Sequence, residues 1–190
     1  MQHRMKEFSM TPEATFALLG RGQVGVLSTS GADGAPYGVP VHYLWQDGKL
    51  WFHGLPAGEK LENIARDHRV CFTVWEFGGI LTEGAENPCQ ADAAYECAVL
   101  RGKARLVDDP AEKRRIFLAI TEKYAPELLD LPIPEARIAG TALVEVTPVT
   151  LTGKYHRGWF PVPALPRIPG AGRFSALQAG KGCHPRRERL

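Results

Sequence analysis

Apolar and polar positions alternate over short stretches through most of the chain, which marks strands more often than helices. Val24 to Thr29 is an apolar and β-branched run of strand length. Tyr37 to Trp45 alternates, with Val39, Val41, Tyr43 and Trp45 on one face, and predicts a second strand. Asp47-Gly48 is a hairpin signal, and Leu50-Trp51-Phe52-His53 follows as the third strand. Val70 to Glu76, Tyr95 to Val107, Ala142 to Thr147 and Val149 to Tyr155 continue the strand character. Phe77 to Ala93, rich in Gly, Pro and acidic residues, predicts a long loop. Pro40 fits a central ladder poorly because it has no N–H. It predicts an edge, a bulge, or a place where something other than a strand pairs.

Helical signals are fewer. Thr11-Pro12-Glu13 combines a capping hydroxyl, a proline for the first turn and an acid for the positive end of the dipole. Phe16 and Leu19 then share a face, and Gly20 offers a stop. A short helix follows the Gly54–Gly58 loop, with Leu61, Ile64 and Ala65 as its apolar face. Asp109-Pro110 opens a third helix reaching Tyr124, with Ile116, Phe117 and Ile120 apolar. About six strands, mostly linked by hairpins, and three helices predict a mainly β chain, an antiparallel barrel with peripheral helices.

Composition narrows the class. A chain of 190 residues with 44% hydrophobic and 23% charged residues suits one domain with a buried core. No run of about 18 apolar residues predicts a membrane helix. Met1 to Phe8 carries charge without an apolar stretch, so a cytoplasmic location is expected. The four cysteines, Cys71, Cys89, Cys97 and Cys183, form no C-x-x-C pair, which argues against zinc. The net charge of +2 hides an asymmetry: His156 to Leu190 holds seven Lys or Arg against one Glu, and the rest holds sixteen against twenty. With five Pro and five Gly as well, residues 156–190 predict a basic tail without regular structure behind a domain at 1–155.

The chemistry concentrates where the third strand ends and the short helix begins. A helix N-terminus presents free N–H groups and partial positive charge. Lys60 in the first turn opposes the dipole, and an anionic ligand would remove that conflict. A solvated lysine on an ordinary loop is the alternative. The spacing is not that of a P-loop, since one residue separates Gly58 from Lys60 and Leu61 stands where Ser or Thr belongs.

Phe52-His53-Gly54, Lys60-Leu61-Glu62-Asn63-Ile64 and Arg69-Val70-Cys71-Phe72 resemble the pyridoxamine 5′-phosphate oxidase-like flavin proteins. Within them, the nitroimidazole-resistance (Nim-like) group is the most similar. Tyr37-Gly38-Val39-Pro40-Val41, Asp47-Gly48-Lys49-Leu50, Tyr95-Glu96-Cys97-Ala98-Val99 and Gly102-Lys103-Ala104 support the likeness, which spans about Glu7 to Tyr155. It implies an FMN-binding split barrel. By resemblance, Val39, Pro40, Val41 and His42 lie along the isoalloxazine ring with backbone groups at its polar edge. Phe52, His53 and Gly54 line the ring and ribityl chain, Lys60 meets the phosphate, and Tyr95 adds a further contact. His53 is carried over as the catalytic residue. Cys97 stands where the family often has a polar residue, and Glu96 is expected to face outward. Homodimers with FMN between subunits are usual in the family.

The activity so implied is an FMN-dependent oxidoreductase passing electrons from reduced nicotinamide to a small aromatic or nitro compound. The basic residues of true pyridoxamine phosphate oxidases near the C-terminus are not found in their usual arrangement; Arg157 is the nearby candidate. A non-catalytic flavin or haem binder is the alternative, with His42, His53 or His156 as iron ligands. Nucleic-acid binding through Arg186-Arg187-Glu188-Arg189 is poorly supported, because Phe174 alone offers stacking after Phe160. Trp159-Phe160 would either reach over a partner's flavin or anchor the start of the tail.

Overall fold

The computed structural model describes residues 7–156. Helix α1 (Pro12–Arg21) begins as its sequence predicts: the Thr11 hydroxyl accepts from Ala14 N, Pro12 fills the first helical position, and Glu13 lies in the first turn. Leu18 and Leu19 anchor it in the core. Strands β1 (Val24–Ser30), β2 (Pro36–His42), β3 (Leu44–Gln46) and β4 (Lys49–Gly54) follow. Asp47 and Gly48 both take positive φ, 55° and 71°, the turn that matches the twist of a tight hairpin between β3 and β4. Helix α2 (Glu59–Arg66), β5 (Arg69–Leu81), β6 (Asp92–Val107), helix α3 (Pro110–Tyr124), helix α4 (Glu135–Gly140) and β7 (Ala142–His156) complete the chain, with short 3₁₀ turns at Pro88–Gln90 and Pro126–Leu128.

All neighbours in the seven-stranded sheet pair antiparallel, in the order β2-β1-β5-β6-β7-β4-β3. The two edge strands, β2 and β3, are consecutive in the chain and separated by Tyr43 alone. A sheet whose edges are joined through one residue has to curl round, and the result is a barrel split at Tyr43. Pro40 therefore lies on an edge strand, opposite Val26 of β1, where its missing N–H breaks no ladder.

The split is clasped by α3. Tyr124 Oη donates to Tyr43 O (2.6 Å) and Gln23 O (2.7 Å), and Tyr43 N donates back to Tyr124 Oη (3.1 Å). Lys123 Nζ donates to Gly22 O (2.6 Å) and Tyr43 O (3.0 Å) and lies 4.5 Å from the Tyr43 ring centroid. Loss of hydration pushes the Lys123 amine down to about 8.

Strand periodicity divides the core in two. Leu50 and Phe52 of β4 face the barrel interior with Leu27, Phe72, Leu100 and Val144. Trp51, between them, faces the other way and packs with Leu143, Val107, Ile116 and Ile120 beneath α3. Burying such side chains is the main stabilising contribution, about 1.5–3 kcal/mol each.

Five expectations are corrected. The Tyr37–Trp45 strand is two strands, because the chain leaves one edge of the barrel at His42 and enters the other at Leu44. The Phe77–Ala93 loop is largely hairpin: β5 runs to Leu81 and β6 starts at Asp92, with a register shift between Phe77 and Gly79. The two late strands are one, whose irregularity lies opposite Arg101 and Gly102. Glu96 does not face solvent: its side chain is 13% exposed and bound to Arg21, which also holds the cross-strand neighbour Glu76. His156, expected in the tail, is the last residue of β7; the remaining tail and Trp159-Phe160 lie outside the described residues.

Candidate cofactor site

The site is built on the corner between β4 and α2. Gly58 takes φ 128°, a backbone conformation open mainly to glycine, and turns the chain into the helix. It is also the N-cap, so no side chain caps α2. Glu59 and Glu62 lie in the first turn, both exposed. What distinguishes Lys60 is the position of its amino end. A Cβ added at Gly54 would sit 3.4 Å from Lys60 Nζ and 3.5 Å from its Cε. The lysine thus folds back over a piece of strand backbone with no side chain, close to a helix start whose N–H groups no side chain caps. Oxygen-rich anions suit that arrangement.

The helix is held firmly. Leu61 and Ile64 are buried in the barrel core. Asn63, 2% exposed, donates to Thr29 Oγ1 (3.0 Å) and accepts from Arg66 Nη2 (2.7 Å), and Arg66 reaches on to Ser30 O (2.6 Å). These anchors were not singled out from sequence. The available signal was a polar residue sharing the buried stripe with Leu61 and Ile64.

His53 precedes Gly54 and faces outward on the α3 side of β4, its ring edge-on to Phe117 at 5.8 Å between centroids. His42, at the end of β2, packs edge-on to Tyr124 at 5.1 Å, with Nδ1 3.2 Å from Gln23 O. With that carbonyl as partner, Nδ1 is the donating nitrogen and Nε2 points away from it. Phe117 and Tyr124 are two turns apart on one helix face, so α3 lines up both histidines. Partial burial, and then the charge His42 can carry, push the His53 imidazole below its ordinary value.

The other expected residues divide by strand parity. Val39 and Val41 turn their side chains inward against the barrel core, while Pro40 and His42 are exposed. Phe52 is 1% exposed and packs in the same core. Its side chain faces away from the surface, so only its backbone is available to a ligand. As an edge strand, β2 pairs with β1 on one side and has backbone groups free on the other, and it runs close to β4. The end of β2 at His42 thus lies near His53 of β4, and Gly54 lies beside Lys60. Tyr95 does not belong to this group within a single chain. It pairs with Phe77 and His156, whereas Gly54 pairs with Ala142 at the opposite end of β7. At about 3.3 Å per residue, the span from Ala142 to His156 puts Tyr95 up to about 46 Å from Gly54.

Comparison with known proteins agrees with this architecture. The family model described as pyridoxamine 5′-phosphate oxidase matches residues 11–155, and the chain belongs to that family. Among solved structures, the flavocytochrome Anf3 from Azotobacter vinelandii superposes with a TM-score of 0.73 at 18% identity, covering 94% of this chain and 92% of that one. The FAD and heme binding protein from Mycobacterium smegmatis gives 0.71 at 19% identity, covering 80% and 75%. A candidate 5-nitroimidazole antibiotic resistance protein from Bacteroides thetaiotaomicron VPI-5482 gives 0.68 at 21% identity, covering 77% and 86%. At these identities the likeness is one of fold. No curated protein sequence matches. Among the described residues no helix is long and apolar enough to cross a membrane.

Proposed function

We propose that this chain binds FMN at the β4–α2 corner and is an oxidoreductase acting on a small aromatic or nitro compound. The observation that carries the reading is Lys60 folded over the bare backbone of Gly54 at the uncapped start of α2. The space left by a missing Cβ, a primary ammonium and helix N–H groups together fit a phosphate monoester. The free backbone edge of β2 at residues 39–42 offers donors and acceptors to a planar heterocycle. The outward-facing His53 beside Gly54 can hydrogen-bond a ligand or take up a proton at an imidazole nitrogen, and partial burial lowers its proton affinity. A bound flavin supplies the redox chemistry, accepting two electrons from reduced nicotinamide and passing them to the acceptor. Tyr95 takes part only if a second copy brings it to this corner, and we place FMN between the subunits of a homodimer on that ground. A cytoplasmic location agrees with an activity that draws on reduced nicotinamide.

The visible spectrum of the purified protein, with and without Lys60→Ala, tests the reading. Flavin bands that weaken in the variant are expected, and nicotinamide oxidation should follow their presence. A colourless protein that takes up no added FMN would refute it.

A second reading, a haem or flavin binder without turnover, rests on His42. Its Nδ1–H engages Gln23 O, the arrangement by which metal-binding imidazoles commonly free Nε2 for the metal. A Soret band abolished by His42→Ala would favour it.

A further inference from the structure

The outward face of β5 and β6 has two ends of opposite chemistry. At the end far from Lys60, Trp75 and Phe77 stack on one another, centroids 5.6 Å apart and planes at 24°, while remaining 57% and 51% exposed. Phe77 pairs with Tyr95, and Trp75 with Cys97. Toward α2 the rows are cationic: Arg69 pairs with Lys103, and Cys71 with Arg101. Arg69, bound to Asp67 at 2.7 Å, keeps its side chain 79% exposed. Arg101 and Lys103 are exposed and, among the described residues, in no ion pair. The middle row, Thr73 with Val99, lies four residues from Phe77 and Tyr95 and four from Arg69 and Lys103. It continues through Val26 to Pro40 of β2. Exposed apolar clusters with polar surroundings mark interaction sites.

We propose that a second copy of the chain docks on this face, sheet against sheet, about a twofold axis along the Thr73–Val99 row. The contact rests on the homodimer reading above and gives it a surface. Because the axis passes midway, Phe77 and Tyr95 of each copy lie over Arg69 and Lys103 of the other, and Trp75 lies over the Arg101 row, every contact occurring twice. Cations are drawn to aromatic faces, more strongly once water is excluded. A twofold axis along the strands would instead set cations against cations, which like-charge repulsion disfavours. The hairpin beyond Tyr95 adds to the match. Glu83 and Glu86 are exposed at its tip, and no Lys or Arg occurs between Arg69 and Arg101. The axis along the middle row sends that acidic tip to the cationic end of the other copy. It carries Tyr95 the same way, toward the α2 end where the FMN reading needs it.

Sedimentation equilibrium of the full chain tests the contact by mass, whether or not flavin is bound. Arg69→Glu/Lys103→Glu takes the cations out of the contact, and Phe77→Lys sets a further cation opposite them. Each variant is expected to loosen its own dimer by about 100-fold or more. An equimolar mixture of the two should restore the unaltered affinity. In the mixed dimer one end pairs the introduced lysine with the introduced glutamates, and the other end keeps the native pairing. A variant as tightly dimeric as the unaltered chain, or a mixture that stays monomeric, would overturn this contact and leave the homodimer reading standing. A monomeric unaltered chain would overturn both. A mixture that re-forms the dimer without flavin bands would support the contact and refute the FMN reading alone.

Discussion

The start of α3 and the start of α2 are built in opposite ways. At α3 the Asp109 carboxylate accepts from Ala111 N at 3.1 Å, Pro110 occupies the first position, and Glu112 lies in the first turn. The sequence satisfies its own orphan donors there, as Thr11 does for α1. At α2 the cap is a glycine with φ 128°, no side chain reaches the free N–H groups, and a lysine bends over a second glycine. Yet α2 is not loosely attached, since Leu61, Asn63 and Ile64 bury its inner face. A helix fixed along its length but left open at its positive end suits the anionic ligand proposed for it. The capped helix serves the barrel, closing it through Lys123 and Tyr124.

Gly54→Val sets a branched side chain against the Lys60 amino end, its Cβ 3.4 Å from Nζ, and should weaken FMN binding by about 100-fold, near 2.7 kcal/mol. Isothermal titration would show it, with near-unchanged thermal unfolding. Asn63→Leu attacks the anchorage instead, stranding Thr29 Oγ1 and removing an acceptor from Arg66. Its cost should be about 2 kcal/mol, or roughly 4–8 °C in Tm. Asp109→Ala should cost about 1 kcal/mol and leave FMN affinity unchanged, since its helix end faces no ligand. If it weakened FMN as strongly as Gly54→Val, the contrast between the two helices would fail.

The smallest effect concerns Lys123. Its folded value of about 8 lies below the ordinary 10.5, so between those values the unfolded chain holds the extra proton. Stability contributed by this residue therefore rises with pH through that window. Urea unfolding at pH 8 and pH 10 should show a gain in the native chain that is smaller in Lys123→Met.

Much of this fold is legible in sequence where a local rule and the tertiary structure agree. Thr11-Pro12-Glu13, Asp109-Pro110 and Asp47-Gly48 each specify local geometry that the barrel also requires. Pro40 marks an edge strand, whereas Pro148 lies in central β7 only beside the register shift opposite Gly102. The misses occur where pairing partners decide. Gly78 and Gly79 read as loop, but β6 supplies a ladder and the pair becomes a bulge within it. The break at Tyr43 is invisible because the apolar alternation continues unbroken across it while the chain changes edges. α4 is six residues long, too short to show a period.

The site was partly readable for the same reason. Lys60 and the glycines before α2 are neighbours in sequence, so their chemistry could be inferred. Phe52 and Tyr95 depend on which face and which end of a strand they occupy, and register alone reveals that. The roles of His42 and His53 beside α3 rest on contacts more than sixty residues apart in sequence.

The most direct test compares the affinities of FMN and riboflavin for the native chain and Lys60→Ala. The two ligands differ by the phosphate alone. The account predicts FMN weakened by about 10- to 100-fold, as losing a charged hydrogen bond implies, with riboflavin unchanged. Equal loss for both ligands, or no loss for FMN, would contradict a phosphate site at Lys60.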